Sequence, residues 1–363
     1  MILVEDLTAA RPFALLTTIT RDQMTQIFDR GYALLIGVGN SIYPKWSLPT
    51  TVNDILALKS ILIDPNLCAY PDNEQHVRLL HDGHATRHAI LNGLAWLKTQ
   101  AASNSETTVI VYYSGHGWLD SSSNNYYLIP HDTEPVDIPN SALSAQDFTN
   151  ALHQIDSQRL LVVIDSCHAE GMATAKNKQA SIKLPPSFVA TAPPKNTIDS
   201  FKQGKGRAIF TSSRGEQSSW VRPDGSMSIY TYRFLEALQG AANQSGDKVI
   251  RLSNLMNHLG KTVPNDAYKL CKAEQIPFFD TATEDFSVAF LRGDKGLSKE
   301  GRNSVKEEAE QKNHQAVQAT GDRSIAVGDS MANSQITSGD QNVIQVGKYN
   351  ANIGNARDIS IGK

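Results

Sequence analysis

The chain holds only three cysteines in 363 residues, Cys68, Cys167 and Cys271. That is too few, and an odd number, for a disulfide framework, and it suits a reducing compartment. No run approaches the roughly 20 apolar residues that a membrane-spanning helix needs. The first residues, MILVEDLTAARPFALLTTIT, carry the acids Glu5 and Asp6 where a secretory signal would carry basic charge. An excess of one charge is missing too. The 34 basic and 37 acidic residues leave a net charge of −3 and a pI near 6.4. Such a balance gives no footprint for nucleic acid or an anionic membrane. These absences lead to the expectation of a cytoplasmic protein with neither nucleic acid nor membrane as partner. What remains, 40% hydrophobic and 20% charged residues, can bury a sizeable core, and the length allows one core domain with appendages.

Five apolar, β-branched runs have the length of buried strands: Tyr32–Val38 (YALLIGV), His76–Leu80, Thr107–Tyr113 (TTVIVYY), Arg159–Asp165 (RLLVVID) and Arg207–Thr211 (RAIFT). Nearly continuous apolar strands point to a parallel sheet covered on both faces. Helical patterns fall between them at about 51–63, 86–100, 144–155, 227–239 and 252–262, with Thr86 and Ser253 as candidate N-caps. This alternation predicts an α/β fold of three layers.

Two stretches interrupt the pattern. Residues 172–206, rich in lysine and proline, predict a long exposed loop. Residues 294–316 are polar and charged without an apolar face, which predicts a linker. Beyond them GDRSIAV, GDSMANSQI, GDQNVIQV, GKYNANI and GNARDISI form an approximate repeat, each unit opening on glycine and closing on an aliphatic residue. Two readings stay open for it: short β units that stack on one another or on copies of themselves, and a disordered polar tail.

The chemistry gathers at two strand ends. TTVIVYY runs into Ser114-Gly115-His116-Gly117, and RLLVVID ends in Asp165 before Ser166-Cys167-His168. Sites of parallel α/β sheets lie beyond the carboxyl ends of the strands, so His116 and Cys167 project from one edge. A thiol beside an imidazole is what nucleophilic catalysis requires. The flanking glycines leave room for a substrate backbone, and the amides of Gly117 and Cys167 are candidates for an oxyanion hole. Against this stands the plain alternative of a small buried thiol and a hydrogen-bonded loop histidine. His168 follows the nucleophile on an extended chain and so faces away from a base shared with His116. The histidines His81, His84, His88 and His131 form no metal set, since the i, i+4 pair His84/His88 lacks a third ligand. Cys68 and Cys271 lie outside any motif and are expected to be packing residues.

Taken together, YALLIGVGNSIYP with Asn53-Asp54, VIVYYSGHG, YYLIPHD and LLVVIDSCHAEG resemble the caspase-like peptidase family, and within it the metacaspase-like orthocaspases of prokaryotes. His116 and Cys167 stand 51 residues apart, close to the spacing of about 50 found in caspases. GRAIFTSSRGEQSSW and GSMSIYTYRFLEAL resemble the family's small-subunit part, so the likeness spans about 30–290.

The resemblance implies a caspase-like three-layer α/β sandwich with a mostly parallel sheet. Its division would be an N-terminal extension over 1–30 and a large (p20-type) part over 31–171. The inter-subunit loop over 172–206 and a small (p10-type) part over 207–293 would follow, then the linker over 294–316 and the repeat tail over 317–363. It implies a cysteine endopeptidase with His116 and Cys167 as the catalytic pair and protein or peptide substrates cut after Arg or Lys. Asp54 and Asp165, with Ser114 beside them, would line the pocket for that basic side chain, as two carboxylates suit a guanidinium. The alternatives are a helix N-terminal acid for Asp54 and a turn-capping acid for Asp165.

Self-cleavage in the basic loop is implied as well, at Lys176, Lys178, Lys183, Lys195, Lys202 or Lys205. Many metacaspases need calcium, but here the matching regions offer only Asp132 beside Thr133, and Glu170. One or two carboxylates make a poor site for a cation that takes six to eight oxygens. The expectation is therefore no cofactor, no metal site and independence of calcium. The tail would serve recruitment or self-association. Two rivals remain: a catalytically weak signalling scaffold, and a cysteine hydrolase acting on small amides.

Overall fold

A computed structural model of the chain describes residues 27–102, 104, 106–166, 168–169, 184–244 and 246–291, and the backbone of two strands at 342–346 and 349–353. β1 (Gly31–Gly37) leads through α1 (Thr50–Ile63) to β2 (Val77–His81), and α2 (Arg87–Ala101) leads to β3 (Thr108–Gly115). A small antiparallel excursion follows, made of β4 (Gly117–Asp120), β5 (Asn125–Leu128), a single turn α3 (Ile138–Ser141) and β6 (Leu143–Ser144). The chain returns through α4 (Ala145–His153) to β7 (Arg159–Ser166), then makes β8 (His168–Ala169), β9 (Phe188–Ala190), α5 (Lys195–Lys202) and β10 (Arg207–Thr211). The last part comprises β11 (Ser219–Trp220), α6 (Ile229–Leu238), β12 (Val249–Arg251), α7 (Leu252–Asp266), β13 (Phe278–Ala282) and β14 (Ser287–Phe290).

The central sheet runs β13-β10-β7-β3-β1-β2 and is parallel except for β13, which pairs antiparallel with β10. The five apolar runs account for its five parallel strands, within two residues at each end. Their continuous hydrophobicity has a direct cause, because alternate residues feed two separate cores. On one face Leu35, Tyr112 and Val163 pack with Leu58 of α1, Phe234 of α6 and Leu259 of α7. On the other face Leu34, Val111 and Val162 pack with Leu94 of α2, Leu152 of α4 and Phe201 of α5. Leu34, Leu35 and Ile36 are all fully buried, each worth about 1.5–3 kcal/mol of transfer free energy. The result is the expected helix–sheet–helix sandwich.

Three expectations need correction. Thr86 caps α2, its hydroxyl accepting from the Ala89 amide at 3.1 Å. Ser253 does not cap α7, whose N-cap is Arg251. Its amide and hydroxyl instead donate to Asp285 at 3.0 and 2.7 Å, so a carboxylate from a distant turn closes that helix end. The stretch 172–206 is not an exposed loop throughout. Its described half carries β9 and α5, because Thr197, Ile198 and Phe201 form an apolar face that is buried, with Phe201 edge-on to Phe148 at 5.3 Å. The boundary at residue 30 is also late, since Phe28 packs on Tyr70 and Phe290 at 5.0 and 5.1 Å. In the tail, Asn342–Val346 and Tyr349–Ile353 pair as an antiparallel hairpin. The linker over 294–316 lies outside the described residues.

Candidate active site

β3 and β7 are adjacent and parallel, and their ladder closes with Ser114 opposite Asp165 and Gly115 opposite Ser166. It ends one residue before His116 on one strand and one residue before Cys167 on the other. Cys167 itself lies outside the described residues, as do Glu170, Lys176, Lys178 and Lys183. His116 is buried, and its Nε2 lies 3.0 Å from the carbonyl oxygen of Trp46. A ring nitrogen so close to a carbonyl must donate, so Nε2 carries the proton and Nδ1 is the basic nitrogen of the neutral ring. The histidine's own carbonyl accepts from the Tyr113 hydroxyl at 2.8 Å and the Ile129 amide at 3.1 Å. Its ring lies 5.4 Å from Trp118, which meets Trp46 edge-on at 4.6 Å. The imidazole thus rests against the Trp46 carbonyl and the Trp118 indole. Trp46 was missed from the sequence because it acts through a backbone oxygen, which leaves no trace in residue type.

The glycines beside His116 answer to the protein's own tyrosines. A Cβ at Gly117 would overlap the Tyr126 hydroxyl and come within 3.0 Å of Ser166 Cβ. A Cβ at Gly115 would sit 2.6 Å from the Tyr113 hydroxyl. Room for a substrate backbone is therefore not what makes these positions glycine. Tyr126 in turn bonds Ser166 at 3.0 Å and the Thr191 carbonyl at 3.2 Å, which ties β5 to the tip of β7.

The structure brings Asp54, Ser114 and Asp165 together. Asp54 projects from α1 and accepts from the Ser114 hydroxyl at 2.8 Å and the Ser228 amide at 2.9 Å. Asp165 accepts from the hydroxyls of Ser219 at 2.6 Å, Ser228 at 2.5 Å and Thr231 at 3.3 Å. Ser228 is the N-cap of α6, so the positive end of that helix faces both carboxylates. The Tyr112 hydroxyl lies 2.6 Å from Thr231 Oγ1 and extends the network. Both acids and all these hydroxyl residues are fully buried. Burial first, and the charge of Asp165 second, push the Asp54 carboxyl up to about 8, against the pull of its Ser228 and Ser114 hydrogen bonds. Neither plain alternative describes these acids, since each accepts bonds from elements far along the chain. Ser219, Ser228 and Thr231 were not foreseen, because a lone hydroxyl more than fifty residues away has no local signature.

The other sequence candidates are dispersed. Lys195 pairs with Asp199 inside α5, and Lys202 holds Asp280 of β13 at 2.8 Å. Both belong to a packed helix, which a peptidase cannot cut without unfolding it, and this removes them as accessible cleavage points. Lys205 is exposed in the turn before β10. Asp132 accepts from the Arg87 amide at 2.8 Å, at the start of α2. His81 pairs with Asp82, His88 with Asn92, and His131 with the Asn40 carbonyl. Among the described residues no group of three or more His, Cys, Asp or Glu side chains is placed to hold a metal. No helix among them is long and apolar enough to cross a membrane. Cys68 is buried and Cys271 half-buried, each with its sulfur 3.7 Å from a carbonyl, and burial pushes the Cys271 thiol up.

A family model of the caspase domain matches residues 30–287. Caspase-1 from Spodoptera frugiperda is a similar solved structure, at 12% identity and a TM-score of 0.45, with 74% of this chain and 90% of that chain covered. No curated protein matches the chain.

Proposed function

Because this chain belongs to the caspase domain family, we propose that it is a cysteine endopeptidase that cleaves after Arg or Lys, with Cys167 as nucleophile and His116 as its base. The observation that carries the reading is the pairing of the β3 and β7 tips, which stands His116 beside the strand that runs into Cys167. The Cys167 thiol gives its proton to Nδ1 of His116, and the thiolate attacks the scissile carbonyl. The imidazolium then returns the proton to the leaving amine, and water hydrolyses the acyl-enzyme. The Trp46 carbonyl supports this cycle, because it holds the ring in one tautomer and accepts from the imidazolium without rearrangement. The amides of Gly117 and Cys167 are the oxyanion donors of this reading.

The buried acids support the basic preference. At neutral pH Asp54 keeps its proton, since burial and the neighbouring Asp165 push its carboxyl up to about 8. A guanidinium entering the site expels that proton and meets two carboxylates already braced by hydroxyls. Aspartate in the same place would face like charge. Self-cleavage falls, in this reading, at Lys176, Lys178, Lys183 or Lys205. No cofactor is invoked, and turnover is expected to survive calcium chelation, since the Asp132 carboxylate already serves the start of α2. The tail is read as a recruitment or self-association segment, and the compartment as the cytoplasm.

The decisive experiment is hydrolysis of fluorogenic peptides ending in Arg, Lys or Asp by wild type, Cys167→Ala and His116→Ala, with calcium or with chelator. Cleavage after Arg or Lys that both substitutions abolish and chelator spares is the expected result. Absence of turnover under every condition would overturn the peptidase reading in favour of the scaffold.

A further inference from the structure

β9 is an edge strand of the small sheet and lies within the lysine-rich stretch. It pairs with β4 in the register Trp118↔Ala190, Leu119↔Val189, Asp120↔Phe188. Its ring-bearing residue, Phe188, turns into the aromatic cluster beneath His116. Phe188 lies 6.5 Å from Trp118 and 6.0 Å from Tyr127. Trp118 is nearly inaccessible to solvent and touches three other rings: Phe188 on one side, Trp46 at 4.6 Å, and His116 at 5.4 Å. Leu184 and Tyr43 close the same cluster. Trp46 in turn supplies the carbonyl that accepts from His116 Nε2 at 3.0 Å. An unbroken chain of packed groups therefore runs from β9 to the imidazole.

We propose that Phe188 is a positioning residue for His116: by packing on Trp118 it sets the Trp46 carbonyl and the indole face that together hold the ring. The proposal rests on His116 being the base only for its catalytic consequence; the placement of the ring is a separate claim. Tilted and edge-on aromatic contacts have narrow preferred geometries, so removing one ring lets its neighbours reorient. Trp118 is held by the pairing of β4 with β5 and by ring contacts to Trp46, His116 and Phe188. With the Phe188 contact gone, Trp118 can tip toward the space left by the ring and take Trp46 with it. The bond from Nε2 then lengthens, and the neutral imidazole loses its bias toward the Nε2–H tautomer. Peptide binding at the buried acids is expected to change little, since Asp54 and Asp165 lie on α1 and β7 whereas Phe188 pairs with β4 and packs on Trp118 and Tyr127.

The test uses the full chain with Phe188→Ala, and with Phe188→Leu and Phe188→Tyr as conservative replacements. Turnover of an Arg-ending peptide should show kcat about tenfold lower in Phe188→Ala with KM within about twofold, and the acid limb of the kcat/KM profile should move. Phe188→Tyr should restore most of kcat, and Phe188→Leu should fall between. Independently of turnover, two-bond proton–nitrogen spectra of the imidazoles, with His116→Ala to assign the signal, should show an Nε2–H ring in wild type. In Phe188→Ala the same signal should move toward a tautomer mixture. An unchanged His116 signal, or kcat and KM changing together with no shift of the pH limb, would overturn the proposal. If no variant and not even wild type cleaves peptide while the His116 signal still moves, the peptidase reading fails and the positioning role stands. Should Phe188→Ala not fold, the Leu variant gives the same readouts.

Discussion

Two aspartates of this molecule, Asp54 and Asp120, are bonded alike and charged differently. Asp120, at the β4–β5 turn, accepts from the Ser122 hydroxyl at 2.7 Å, the Ser123 hydroxyl at 2.7 Å and the Ser122 amide at 3.0 Å. Those bonds, from Ser122 first and Ser123 second, hold its carboxyl down at about 2. Asp54 also accepts one hydroxyl and one amide, yet stands at about 8. The difference lies in what surrounds the donors. Asp120 is itself mostly covered, but the turn beside it runs through exposed residues 121–125 and no second acid raises it, whereas Asp54 is sealed in the interior within the field of Asp165. Hydrogen bonds set the charge of a carboxylate most readily near the edge of solvent, where no second acid competes.

The largest effect expected is in Asp165→Asn, which should lower kcat/KM for an Arg-ending peptide about 10²–10³-fold, as loss of one partner of a buried charge pair costs. Steady-state kinetics would break the comparison if the variant kept wild-type activity, since Asp165 would then face no substrate cation. Next is the pH profile. Wild-type kcat/KM should climb as pH rises toward about 8, where Asp54 ionises, and Asp54→Asn should lose that limb at a lower plateau.

Stability should move the opposite way. The folded carboxyl at about 8 lies above its ordinary value of 3.8, so the folded state holds the extra proton between these values and stability falls as pH rises through that window. Thermal melts from pH 5 to 8 should therefore show the Asp54→Asn variant gaining roughly 5–10 °C on wild type. The smallest effect is at the surface. Replacing Ser122 and Ser123 by alanine should lower Tm by about 1–3 °C at pH 7, with activity unchanged. The Asp120 carboxyl is held below its ordinary value, so this contribution is present above pH 3.8 and fades as pH falls through about 2. A loss that persisted unchanged at pH 2 would mean the serines act by packing instead.

The sheet was legible because its strands are apolar on both faces and their runs are long enough to count. The tips carrying His116 and Asp165 followed from that, since chain direction alone puts them at one edge. The small sheet of β4, β5, β6 and β9 was not read, because strands of two to four residues give no period to detect. Helix α5 escaped for a related reason: eight residues with two large apolar side chains, Ile198 and Phe201, look like loop until their partners are known. Asp54 and Asp165 could be named, but not the raised carboxyl of Asp54, which depends on burial and on the approach of two residues 111 apart in sequence. Trp46 and Phe188 lay out of reach, one acting through a main-chain oxygen and the other through two successive ring contacts.

β10 has a neighbour on each side, matching Arg207–Thr211 against Leu160–Ile164 of β7 and against Phe278–Ala282 of β13. The lysine-rich stretch joins β7 to this inner strand by sequence; its described half adds β9 to the small sheet beside β4, while the registers of β10 with β7 and β13 begin only at Arg207. Any peptidase that severs the backbone there turns one chain into two without removing a strand from the sheet. The product is a folded heterodimer of fragments, one particle under native conditions and two bands in detergent. Its unfolding becomes a second-order equilibrium, so its melting temperature will rise with protein concentration where that of the uncut chain does not.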